Sequence, residues 1–249
     1  MHLVLVLILV ILVVGVVQSI LFGLGYALRK LHITAANIQK LKWYVGIGLG
    51  LWLLILALMA WGGAFMNFKA WPPRMLLVLL PIPLLALILL RSRLFLLCLK
   101  AIPARWLLFA QTYRVFLELL LWFGFTIGMV PFHLTFAGFN YDIVVGLTAI
   151  PAGMLFFRRG RWLRFEAMIW NTFGVLLLLY NSFIFLISLP YSFQVFDIPP
   201  SNSFITQFPF IWIPGFLTPL AIALHLFSLR QQFISRPRRQ FSIRRNRNA

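Results

Sequence analysis

Acidic residues are nearly absent from this chain: four Asp and Glu stand against 22 Lys and Arg in 249 residues. So few carboxylates leave little from which to build a metal centre or a two-carboxylate enzyme. Cysteine is scarcer still. Cys98 stands alone, which excludes an internal disulfide and any cysteine-based metal site. Charge of either sign makes up only 10% of the residues, against about 25% in a soluble globular chain. No HExxH, GxSxG or P-loop pattern occurs.

What fills the chain is apolar: 62% hydrophobic residues and a mean hydropathy of +0.97. Runs of about 20 apolar residues recur along its length, the signature of membrane-spanning helices. Reading these runs between charged or proline-rich breaks predicts seven spans, at 3–27, 43–63, 74–91, 105–130, 141–157, 167–189 and 209–229. The expected fold is all-α: a polytopic integral membrane domain over 1–229, followed by a basic, disordered cytoplasmic tail over 230–249. Pro81 and Pro83 interrupt the third span, and Leu94–Leu99 is too short to cross and is expected at the interface. Trp43, Trp61, Trp71, Trp106 and Trp162 fall near span ends, as interfacial anchors do.

Basic residues set the orientation. Nineteen of the 22 lie in alternate connections (28–42, 91–105, 158–166) and in the tail, whereas the opposite connections hold only Lys69 and Arg74. This positive-inside bias places the N-terminus outside and the C-terminus in the cytoplasm. Topology thus accounts for the net charge of +18 before nucleic acid does. The basic loops and tail suit anionic lipid headgroups, at about 1 kcal/mol per charge near the surface. No positive n-region precedes the first apolar run, which is longer than an ordinary signal core, so it is expected to be a retained helix.

One segment, QTYRVFLELLLW at 111–122, carries an arginine and a glutamate into a span. With a 1.5 Å rise from Arg105, Arg114 lies about 13 Å and Glu118 about 20 Å along the helix, both inside the hydrocarbon. Gln111, Arg114, Glu118, Trp122 and Thr126 are spaced as one stripe. A mid-bilayer charge costs at least about 2.5–3.5 kcal/mol, so the stripe is expected to face protein or a hydrated cavity. Arg114 and Glu118, four apart, are expected to reach each other, though base before acid is the weaker helical order.

The remaining intramembrane polarity falls in the later spans: Asn140 and Asp142 near the outer face, then Asn171, Tyr180 and Asn181, then Trp212, Thr218 and His225. Asp142 also suits the N-terminus of its helix. Helices one and two are aliphatic, with small residues (Gly15, Gly23; Gly46, Gly50) that suit close packing. Gln111, Arg114, Glu118, Asp142, Asn171, Asn181, Trp212 and His225 are therefore the candidate ligand or ion-pathway residues.

Seven helices alone do not make a retinal protein, because Lys30, Lys40, Lys42, Lys69 and Lys100 all lie in connections. His133 and His225 are expected near opposite faces, so they share no haem iron. No enzymatic activity, metal or cofactor is expected. Helices 1–3 and 5–7 share one order about helix four, which permits a three-plus-one-plus-three repeat of transporter type, without a proline–glutamine signature. The fragments QTYRVFLELLLW, FNYDIVVGLTA, IWNTFG and FPFIWIPGFLTPLAIALHLFSLRQ resemble a group of uncharacterised bacterial seven-helix multi-pass membrane proteins. That resemblance, over about 70–232, implies a bacterial cytoplasmic (inner) membrane and carries no activity. Two readings stand: binding or transport of a small solute or ion in helices four to seven, or a non-catalytic scaffold with Arg114–Glu118 as a packing pair.

Overall fold

The computed structural model describes residues 1–158 and 161–234; the predicted disordered tail lies, from 235 onward, outside the described residues. The architecture is helical apart from a two-residue ladder pairing Phe157–Arg158 with Arg161–Trp162. Two long helices open the chain, α1 (His2–Lys30) and α2 (Ala35–Trp61). Short α3 (Arg74–Leu79) and α4 (Pro81–Leu89) meet where Pro81, lacking an N–H, cannot continue the hydrogen-bond ladder. Helix α5 (Arg93–Ala101) then bends away by 89°. Its turn is shaped by Ser92, whose Oγ accepts from the Phe95 N–H at 3.4 Å.

Two helices, α6 (Ala104–Phe109) and α7 (Tyr113–Thr126), are joined through a 3₁₀ turn at Ala110–Thr112. The chain continues with α8 (Asp142–Phe156), α9 (Arg164–Ile187) and, after a π-helical turn at Ile213–Leu217, α10 (Thr218–Ile234). Among the described residues, five helical segments are long and apolar enough to cross a membrane, six when the bent α3–α5 unit is included. The predicted fifth span is the shorter α8, of 15 residues.

The π turn has a readable cause. Pro219 offers no N–H to the carbonyl of Gly215, four residues back, and Trp52 Nε1 donates to that oxygen instead, at 2.9 Å. Glycine at 215 suits this approach, since a Cβ would stand 2.5 Å from Leu56 Cδ1 and 3.0 Å from Val78 Cγ1 and force those side chains to shift. One core joins Leu5, Leu9 and Val13 of α1 with Leu117 and Leu121 of α7 and Phe216 and Leu217 of the π turn. The first helix is thus knit into the bundle. Elsewhere α1 and α2 present exposed apolar side chains, among them Leu7, Ile11, Leu51, Leu54 and Leu58.

Their small residues do not mediate close packing as expected. An added Cβ at Gly15, Gly23 or Gly50 would meet nothing within 4 Å, and at Gly46 only Leu21, at 3.6 Å. Between the two helices lies a mostly apolar hollow of about 560 Å³, walled by residues that include Val13, Gly46, Gly50 and Trp212.

The described parts of the basic segments meet at one end of the bundle. Leu28 and Ile38, at the α1–α2 turn, pack on Cys98 of α5. Gln231 of α10 donates to the carbonyls of Leu99 (2.5 Å) and Ile102 (2.7 Å). Its neighbour Gln232 accepts from Trp162 Nε1 at 2.7 Å and offers its carbonyl to Arg164.

Candidate functional site

The polar stripe on α7 is buried where it begins and surfaces where it ends. Gln111, Arg114 and Glu118 are inaccessible, Trp122 is half-buried and Thr126 is exposed. Each four-residue step advances the side chain by about 40° around the helix, so the stripe drifts off the packed face. Gln111 is not part of a charged cluster: its amide donates to the carbonyl of Ala221 at 3.0 Å, pinning α10. Tyr113 does likewise to Leu217 at 2.6 Å.

Arg114 pairs with Asp142, not with Glu118, and this is the one salt bridge among the described residues. The expected Arg114–Glu118 pair is corrected here, and the packing shows why. Gly146 lets α8 lie directly on α7, because a Cβ there would stand 2.9 Å from the backbone nitrogen of Val115. Asp142 is one turn away on the same face of α8. A carboxylate arriving across this interface displaces an intrahelical partner held in the less favourable order. Asp142 also begins its helix, so its place at an N-terminus and its pairing with Arg114 hold together.

The other guanidinium nitrogen meets His225 Nε2 at 3.3 Å, while His225 Nδ1 lies 3.0 Å from Asn171 Oδ1. An arginine only donates. Nε2 must therefore accept, Nδ1 carries the hydrogen to Asn171, and His225 is neutral. Asn171 in turn donates to the carbonyl of Ala167 at 2.7 Å. His225 is fully buried at the α9–α10 contact, where Gly174 leaves room for its ring.

Glu118 takes its hydrogen bonds from Asn140, whose amide nitrogen is 2.9 Å from each carboxylate oxygen. Asn181 ties the two halves together, donating to Asn140 Oδ1 at 2.7 Å and to Asp142 Oδ1 at 2.5 Å. The Asp142 N–H also donates to Asn140 Oδ1, at 3.2 Å. One network thus runs from Asn171 through His225, Arg114, Asp142, Asn181 and Asn140 to Glu118.

Beside its Glu118 end lies a cavity of about 80 Å³, walled by Glu118, His133, Asn140, Asp142, Asn181 and Ser182 among apolar neighbours from α3, α9 and the π turn. A water needs at least about 10–15 Å³ by this measure, so the space suits a small solute or a hydrated ion. Arg114 is not on its wall. His133 is buried, with Nε2 2.9 Å from Ser188 Oγ, and burial pushes its imidazole below the ordinary histidine range.

Of the eight residues singled out in the sequence, five (Arg114, Glu118, Asp142, Asn181 and His225) share this network, and Asn171 anchors its far end. Gln111 stands apart. So does Trp212, which donates to the carbonyl of Leu53 at 2.9 Å on the α2 side. Missing from the set were Asn140, detectable only as the neighbour of Asp142 in FNYD, and His133, which no spacing linked to α9. No group of three or more His, Cys, Asp or Glu poised to hold a metal occurs among the described residues. Comparison with family models, with curated proteins and with solved structures finds no match for this chain.

Proposed function

We propose that this is a seven-span protein of a bacterial cytoplasmic membrane that binds or transports a small solute or ion at the polar cavity beside Glu118. The observation that carries this reading is the cavity itself: charged and amide side chains from the α7, α8 and α9 region line space they do not fill. A pair serving helix packing alone has no need of an adjoining hollow. The convergence of the basic segments at one end supports a cytoplasmic C-terminus. Trp61, the last residue of α2, and Trp71 beyond it are 82% and 83% exposed and suit an outer interface.

A scaffold or assembly role is the second reading, favoured by the polar groups spent on packing. Gln111, Tyr113, Trp52 and Gln231 all cap carbonyls of neighbouring segments. A thermal-shift screen of the full-length protein with small ions, sugars and lipid headgroups separates the two. Asn181→Leu, which replaces an amide on the cavity wall by apolar bulk, is expected to abolish any stabilising hit. A screen without hits, or hits indifferent to Asn181→Leu, would favour the scaffold.

A further inference from the structure

Resting on that reading, the network also identifies what charge the cavity accepts. Arg114 is committed on both sides, to Asp142 and to His225. It offers an incoming anion nothing, because it does not reach the cavity wall. The ionisable groups on that wall are Glu118, Asp142 and His133. From the elements behind them come Arg114, the neutral His225 and Tyr113, whose hydroxyl is spent on Leu217. Arg114 cancels Asp142. Glu118 has no cationic partner, only the amide of Asn140. With both carboxylates ionised, the network holds one surplus negative charge inside the bilayer, at a depth where an uncompensated charge is costly.

The wall points the same way independently. Asn181 Oδ1, Ser182 Oγ and His133 Nδ1 are buried atoms without a hydrogen-bond partner, and His133 as a whole is 2% exposed. Buried polar atoms are ordinarily satisfied. Carboxylate, amide and hydroxyl oxygens are the donors that hard cations take. The water of a hydrated cation also satisfies an imidazole nitrogen.

We propose that the cavity takes a small monovalent cation, a proton or an alkali-metal ion, on Glu118, with Asn181 Oδ1 and Ser182 Oγ as its neutral oxygen ligands. Arg114 then acts as a fixed counter-charge that holds Asp142, leaving Glu118 as the one carboxylate whose charge the ligand neutralises.

The test uses the full-length protein in vesicles of zwitterionic lipid. Melting temperature is followed against Na⁺, K⁺ and Li⁺, replacing N-methylglucamine at constant ionic strength. In parallel, infrared difference spectra between wild type and Glu118→Gln look for the carbonyl stretch of a protonated carboxyl at neutral pH. An alkali-metal ligand gives a saturable rise in Tm that Glu118→Gln abolishes and Glu166→Gln, at an exposed site, retains. A proton ligand gives no cation response but a carboxyl band that Glu118→Gln removes. Should Glu118→Gln fail to fold, Glu118→Asp, which withdraws the charge by one methylene, is expected to weaken half-saturation by roughly ten-fold or to shift the band. An ionised Glu118 with no cation response overturns the proposal, and so does saturable stabilisation by chloride or phosphate. Hits from sugars or anions that Asn181→Leu abolishes would leave the binding function standing while removing its cation character.

Discussion

The pairing of Arg114 with Asp142 leads to an asymmetry between two superficially similar neutralisations. In Asp142→Asn the shape is kept, but a guanidinium that is 1% exposed loses its only carboxylate. Its Nε already lacks a partner, and the accepting nitrogen of His225 is neutral, so nothing nearby replaces the lost charge. Breaking one side of a buried pair costs about 3–5 kcal/mol, or roughly two to almost four powers of ten in the folding constant. With N-methylglucamine in place of alkali-metal ions, Glu118→Gln is expected to cost less than about 1 kcal/mol, or to stabilise, because it removes a buried carboxylate that no protein cation pairs with. Combining Arg114→Met with Asp142→Asn should recover most of the Asp142→Asn loss, because no unpaired charge remains. Detergent-driven unfolding of the full-length protein in lipid bicelles, followed by its nine tryptophans, measures these three variants, with Arg114→Met alone and Arg114→Met combined with Glu118→Gln completing both cycles. Equal costs for Asp142→Asn and Glu118→Gln would refute the charge assignment. So would strong coupling of Arg114 to Glu118 in the same cycle without coupling to Asp142.

Two further outcomes follow from the packing. Gly174→Ala drives a methyl group into the His225 ring, and such overpacking is expected to cost about 1–3 kcal/mol. In the double variant with His225→Ala the combined loss should fall well short of the sum, whereas additivity in the same unfolding assay would place Gly174 away from the ring. His133 supplies a pH dependence. Its folded form resists protonation more than the unfolded value of 6.5, so the unfolded chain binds the extra proton and stability drops as pH falls below that value. Melting curves from pH 8 to pH 5 should show a steeper acid loss for wild type than for His133→Gln; parallel curves would exclude a buried neutral imidazole.

Hydropathy alone determined where most of the helices lie, because an apolar run of span length has few other solutions. It also singled out α7, since an arginine and a glutamate inside such a run are costly wherever their partners are. Short or broken segments were less legible. The third span is divided into α3 and α4 where Pro81 removes a backbone donor, with the 89° bend coming only before α5, and α8 is short because the chain ahead of it forms turns that bring Asn140 to Glu118. What only the tertiary structure decided is who pairs with whom. Periodicity places Arg114 and Glu118 on one stripe but is silent about the neighbouring helix, whereas Gly146 brings α8 close enough for Asp142 to take the guanidinium. His225 is drawn inward by the space over Gly174, and Trp212 is drawn outward to the carbonyl of Leu53. Spacing along one helix sets which side chains share a face. Which carboxylate is neutralised, and which is left to the cavity, is set by contacts between residues distant in sequence.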